Sequence, residues 1–316
     1  MLHLRAGKQI ALKTEPYKKT WVVTTKIARE LISLPEGEKL PTVGYISDVL
    51  CTSHGIVQKA LLMLEESGCV EMKKQGRGGT VLIKKNPPLL FEAAGIKGIT
   101  GAMPLPLNTC FAGLATGLYD VFSSCPAPFG FAFLHGAQTR VDALLRETYD
   151  FVVVSRAAAM LFLERHAELD LLADYKSVQY SGHFALFINR KGATRLHDGF
   201  TVGVDQQFTD QMILTQLVCS GKKVRFVPMA YQRACSALVS GEIECLVARV
   251  DDIAASNIFT VIPLETDGGP DMTTPALLCN RNAFGMKNIL SSYLDEGRVC
   301  AAQQTVMNLT RDPCFY

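Results

Sequence analysis

Residues 42–83 read TVGYISDVLCTSHGIVQKALLMLEESGCVEMKKQGRGGTVLI, and the reading of this stretch decides the first part of the fold. After Thr52 and Ser53, which can cap a helix, Ile56, Val57, Ala60, Leu61 and Leu64 recur at helical spacing until Gly68 stops the run. A shorter helix over 42–50 precedes it, and two helices joined by about three residues form a helix-turn-helix. The run 69–73, the turn Gln75-Gly76-Arg77-Gly78-Gly79 and the run 80–83 then predict a hairpin, which is a wing. Upstream, Ile27, Ala28, Leu31 and Ile32 share one face of a helix over 21–34, which Gly37 and Pro41 bring to an end.

A basic domain over 1–86 is expected to end at Asn86-Pro87-Pro88, because proline extends neither a strand nor a helix, and 87–97 reads as a linker. Charge supports a division near that point. The chain has 316 residues and a net charge of +2, but residues 1–90 carry 14 Lys/Arg against 8 Asp/Glu while 91–316 carry 18 against 22. A +6 module fits a polyanion such as nucleic acid, and a −4 remainder fits a different partner.

Composition excludes several classes. With 48% hydrophobic and 20% charged residues the chain is of ordinary globular type rather than disordered. The longest apolar run, 157–163, falls well short of the roughly 20 residues that span a bilayer, so no membrane segment is expected. Charges at Arg5, Lys8, Lys13 and Glu15 interrupt any leader-like apolar stretch, and a cytoplasmic protein is expected. The ten cysteines have no CxxC pair or zinc-ligand spacing, so reduced thiols, no metal and no cofactor are expected.

Beyond the prolines the pattern turns to α/β. Strands are predicted over 98–103, 128–134, 151–155, 200–205, 224–228 and 245–248, with helices over 110–122, 138–147, 209–221 and 232–240, giving a largely parallel sheet. Two echoes divide this region. Ala143-Leu144-Leu145 is followed by Asp150 and an apolar run to Ser155, and Ala237-Leu238-Val239 is followed by Glu244 and an apolar run to Ala248 and Arg249. In both, seven residues separate the alanine from an acidic residue that opens a strand. The segments 185–190 and 276–281 also resemble one another and suit two passages between lobes. The expectation is a domain over 98–316 with one lobe from 98–184 plus 282–316, a second from 190–275, and a ligand cleft between them.

The segments 34–41, 52–61, 64–68 and 76–81 resemble the winged helix of GntR-type transcription regulators. The two-lobe region resembles the type 2 periplasmic-binding-protein fold that LysR-type regulators use as an effector sensor. The combination, including Gly101-Ala-Met-Pro-Leu-Pro106 and Gly113-Leu-Ala-Thr-Gly-Leu118, resembles the YhfZ family of transcriptional regulators over essentially the whole chain. Where GntR regulators carry base-reading arginines this chain has Gly44, His54 and Gln58, while Arg77 in the wing turn is retained.

In a major groove, the first half of the second helix would present Ser53, His54, Gln58 and Lys59, and Gln can pair bidentately with adenine. Lys73, Lys74 and Arg77 would grip the phosphate backbone. For the effector, the C-terminal strand ends and the helix starts beside them supply Leu105, Asn108 and Thr109, His135, then Ser155 and Arg156. The second lobe supplies Gln206, Gln207, Thr209 and Asp210, with Tyr231 and Gln232. Helix starts at Thr109 and Thr209, with Arg156, give a preference for an anionic ligand.

No Walker loop, GxSxG elbow or HExxH is present. Cys110, at a predicted helix start, has no visible His or Asn partner for nucleophilic chemistry. The expectation is therefore a homodimeric DNA-binding regulator under small-molecule control and not an enzyme. The alternative is a cytosolic enzyme on the two-lobe fold with the winged helix as an interaction module.

Overall fold

The computed structural model describes residues 15–191, 193–253, 258–264 and 270–315, with the side chains of 15–18 and Arg77 outside that set. The N-terminal charges read above against a leader therefore lie outside the described residues, apart from the backbone of Glu15. The chain divides into two compact units, 1–97 and 98–316.

The first unit begins with α1 (Glu15–Ser33), whose Val23, Ile27, Ala28 and Leu31 are buried. Packed on it is α3 (His54–Glu66), which buries Val57, Ala60 and Leu64 at the expected spacing. Between them α2 (Val43–Val49) starts at Thr42, whose hydroxyl accepts from Tyr45 N at 3.2 Å. Ser53 caps α3 in the same way, accepting from Ile56 N at 3.4 Å, and each such cap is worth about 1 kcal/mol.

The wing is β1 (Val70–Lys74) antiparallel to β2 (Thr80–Lys85), with Lys74 opposite Thr80. Its turn closes with Gln75 N donating to Gly79 O at 2.8 Å, and Gly76 and Gly79 sit at φ +54° and +88°. The other edge of β2 is covered by residues 37–40, through Leu40 N to Thr80 O at 2.8 Å and Leu82 N to Glu38 O at 3.0 Å. The Lys85 ammonium donates to Ile32 O at 2.7 Å and Leu34 O at 2.8 Å, closing the C-terminal end of α1.

The expected linker at 87–97 is instead structural. Pro87 and Pro88 occupy the first turn of α4 (Pro87–Ala93), where the missing N–H groups need no partner, and Asn86 caps it by accepting from Leu89 N. Leu90, Phe91 and Ala94 are buried, and α4 packs against α1. Proline marks a helix start here as well as a strand end.

The second unit holds two five-stranded sheets. The first contains β3 (Ile99–Met103), β4 (Phe129–Phe133), β5 (Phe151–Ser155), β6 (Leu169–Asp174) and β12 (Pro275–Asn280) in the order β4-β3-β5-β12-β6. The second contains β7 (Phe184–Ile188), β8 (Thr201–Val204), β9 (Arg225–Pro228), β10 (Cys245–Arg249) and β11 (Thr260–Pro263) in the order β11-β7-β10-β8-β9. In each sheet four strands run one way and one runs against them, between the third strand and the edge, so that two of the four pairings are parallel and two antiparallel. The sheets are mixed rather than largely parallel. The antiparallel strands are β7 and β12, the two passage segments, so each lies within the sheet it enters.

The helices of the first sheet are α5 (Thr109–Phe122), α6 (Ala137–Leu145), α7 (Arg156–Arg165), α10 (Met286–Tyr293) and α11 (Glu296–Met307). Those of the second are α8 (Thr209–Val218) and α9 (Tyr231–Ser240). The acidic residues of the sequence echo perform one task twice. Asp150 Oδ2 accepts from Thr100 N at 2.8 Å and Glu244 Oε2 from Thr201 N at 2.9 Å, each pinning the start of the neighbouring parallel strand. On the far side α5 and α11 meet closely, because a Cβ at Gly113 or Gly117 would come within 2.9 or 2.7 Å of the carbonyls of Gln303 and Val299.

Candidate functional site

On the first unit, burial of Val57, Ala60 and Leu64 turns the opposite side of α3 outward, and Ser53, His54, Gln58 and Lys59 are all exposed. His54 stands against α2, its Nε2 3.9 Å from where a Gly44 Cβ would lie. Lys73 and Lys74 are exposed on β1. Arg77 belongs to the short turn Gly76–Gly78, and its side chain lies outside the described residues. The described side chains expected to meet DNA, at the start of α3 and on β1, are thus polar or cationic and exposed.

On the second unit, a cavity of about 420 Å³ opens between the two sheets. The first sheet contributes Leu105, Asn108, Phe111, His135, Arg140 and Tyr180, and the second contributes Phe208, Asp210, Tyr231, Arg249, Asp251 and Asp252. A mostly apolar hollow of this size with a few convergent charges has the form of a small-molecule site.

Six of the twelve expected effector residues line it: Leu105, Asn108, His135, Asp210, Tyr231 and Gln232. Asn108 spends its Oδ1 on Phe111 N at 2.9 Å as the cap of α5, where Thr109 is the first residue and stands outside the lining. Ser155 and Thr209 are buried behind the wall. Gln206 is exposed and Gln207 accepts from Thr139 at 3.4 Å, both away from the cavity. Arg156 pairs with Asp174 at 3.3 Å and lines a separate hollow with Met160 and Ile213.

The residues that sequence reasoning missed carry most of the charge. Buried Arg140 donates to Val153 O at 3.1 Å, Leu134 O at 2.8 Å and the Tyr180 hydroxyl at 3.2 Å. Arg249 donates through Nε to Asp252 at 2.7 Å, and its guanidinium lies 5.5 Å from the ring centres of Phe111 and Phe208 and 6.0 Å from that of Tyr231. The Tyr231 hydroxyl donates to Asp252 at 2.8 Å and accepts from Arg249 N at 3.1 Å. One available signal was the echo itself. Counting from Asp150 and Glu244, Arg249 holds in the second lobe the position that Ser155 holds in the first, and both end their strands.

Hydrogen bonds cross between the lobes at the cavity. Asp205 receives Tyr231 N at 2.9 Å and Gln207 N at 2.8 Å, and its Oδ2 stands 3.2 Å from His135 Nε2. Ser155 donates to Asp210 at 2.5 Å and accepts from Ala158 N as the cap of α7. Burial pushes the Asp210 carboxyl up to about 6, against the opposing pull of Ser155, Arg140 and Arg249. At the start of α5, burial also pushes the Cys110 thiol up to about 12, which suits a packed thiol and opposes a nucleophile.

The YhfZ C-terminal domain family matches residues 87–315. The protein YhfZ of Escherichia coli (strain K12) is 31% identical over 304 residues, spanning 94% of this chain and 98% of that protein. The chain belongs to the YhfZ family. A helix-turn-helix domain family matches 35–82, covering α2, α3, β1 and the start of β2 of this YhfZ-family chain. The crystal structure of YhfZ from Shigella flexneri is similar at 26% identity and a TM-score of 0.61, covering 72% of this chain and 97% of that one. A periplasmic substrate-binding protein of an ABC transporter from Coxiella burnetii is similar at 10% identity and a TM-score of 0.45, covering 68% of this chain and 100% of that one.

The YhfZ C-terminal match begins at Pro87, the first residue of α4, whereas the structural division falls ten residues later at 97/98. Among the described residues of this YhfZ-family chain, no helix is long and apolar enough to cross a membrane, and no group of three His, Cys, Asp or Glu side chains is placed to hold a metal ion.

Proposed function

We propose that this chain is a transcriptional regulator that binds operator DNA through its winged helix and changes its DNA affinity when a small molecule occupies the cavity of the second unit. The observation that carries the reading is the union, in one chain, of a helix-turn-helix with an exposed second helix and a domain of two sheets with a charged cavity between them. A ligand controls the DNA affinity only to the extent that it prefers one state of the protein. Hydrogen bonds spanning the lobes supply such a preference, since a ligand seated among them favours the lobe arrangement in which they form. The guanidinium of Arg249 favours an effector with an anionic group. A homodimer fits the reading, because helix-turn-helix proteins commonly read two half-sites about one DNA turn apart.

The test is selection of bound duplexes from random-sequence DNA by the purified full-length chain, followed by titration of the selected site with and without metabolites. An enriched site with two related halves, whose affinity moves in the presence of a metabolite, is the expected outcome. Absence of any enriched sequence, together with chemical turnover of a metabolite, would replace the regulator with an enzyme whose winged helix serves as an interaction module.

A further inference from the structure

Among the described residues that line the cavity, Arg249 and Asp251 have polar atoms without a hydrogen-bond partner, and they are of opposite sign. Arg249 makes one side-chain hydrogen bond, from Nε to Asp252, and neither of its Nη atoms has a partner among the described residues. This leaves a planar pair of donors, held in place by Asp252 and boxed by Phe111, Phe208 and Tyr231. Such a fork matches a carboxylate, and aromatic walls strengthen the pairing by excluding water. Arg140, the other guanidinium in the lining, is already engaged with Val153, Leu134 and Tyr180 and offers no comparable fork.

The second group is Asp251, two residues along the same wall. Its carboxylate accepts no hydrogen bond from any described residue, yet it faces the cavity. Asp251 is exposed at the cavity, and Gly182 lies against one side of it, since a Cβ there would come within 2.9 Å of Asp251 Oδ2. Arg249 and Asp251 both line the cavity, two residues apart in the chain. Since Asp252 already offsets Arg249, an unpaired Asp251 repels a ligand that is only anionic and attracts an ammonium group.

We propose that the effector is a small zwitterion of the amino-acid type, its carboxylate held by the Arg249 Nη groups and its ammonium by Asp251, with the remainder against Phe111, Phe208 and Tyr231. This deepens the sensor reading above and rests on it. The discrimination comes from two charge-assisted contacts, so loss of either should cost about tenfold or more in affinity.

The experiment is calorimetric and thermal-shift titration of the full-length chain with four sets of probes. These are free L-amino acids, their carboxamides, their N-acetyl derivatives, and a set of sugars, sugar phosphates and dicarboxylates. A free amino acid should bind, and its carboxamide and N-acetyl derivative should each bind at least about tenfold more weakly. Asp251→Asn should bring the free and N-acetyl ligands to similar affinity, and Arg249→Gln should abolish the preference for a carboxylate. Gly182→Ala keeps every charge and should weaken the free amino acid more than the N-acetyl derivative, which keeps the test open if the Arg249 variant fails to fold. Tight binding of a sugar, phosphate or dicarboxylate with no amino acid bound would overturn the zwitterion while leaving a small-molecule sensor intact. No response to any probe, with DNA affinity unmoved by all of them, would overturn the sensor reading and this inference with it.

Discussion

Asp210 is 3% exposed, and its ionisation links the interlobe contact to pH. Burial holds its carboxyl at about 6, whereas in the unfolded chain it would titrate near 3.9. Between those values the folded protein binds the extra proton, so its stability falls as pH rises through that window. Asp210→Asn removes the cost of the buried charge while Oδ1 can still accept from Ser155. The variant should be more stable by about 2 kcal/mol at pH 7.5, and the gain should fade by pH 4. Urea denaturation at the two pH values measures it, and a gain that did not change with pH would contradict this account. At this scale the sequence was partly legible. Strand ends and helix starts brought Ser155, Asp210, His135 and Tyr231 into view, because chain direction determines where such groups gather. That Ser155 and Asp210 bond to each other, and that Arg249 faces the cavity while Arg156 pairs with Asp174, depend on lobe packing that local pattern does not encode.

The elements were legible where one period dominated and obscure where two signals coincided. Apolar spacing on α3 and the glycine-rich turn of the wing translated directly into structure, whereas Pro87-Pro88 could equally end a strand or begin a helix and did both. β6 and β11 escaped notice because these edge strands are largely half-buried and carry weak alternation. Two element-scale outcomes follow. Gly117→Ala would ordinarily favour a helix by up to about 1 kcal/mol, but here the new Cβ meets the Val299 carbonyl at 2.7 Å. Overpacking against backbone should reverse the sign and cost about 2 kcal/mol, read as a lowered melting temperature. On the wing, replacing Lys73 and Lys74 together by alanine should reduce the slope of log affinity against log salt by about 2 if both meet phosphates. The same slope in the variant and the parent would remove β1 from the DNA interface.

The whole molecule joins a cationic unit of 97 residues to a unit of two sheets with matching strand orders. The charge asymmetry was read as a division near residue 86 and the echoes as two lobes beyond it, because net charge and repetition are summed over many residues rather than carried by one element. The placement of the passage segments also has a consequence for how the chain is made. The first sheet is complete only when β12 slots between β5 and β6, and β12 ends at Asn280. The ribosome releases β5, at 151–155, more than a hundred residues before that partner. At roughly 5–20 residues per second, two strand edges wait on the order of ten seconds for their partner. During that interval the buried faces of Val152 and Val154 are unprotected, so slow synthesis or a stall between 175 and 275 should expose the nascent chain to aggregation.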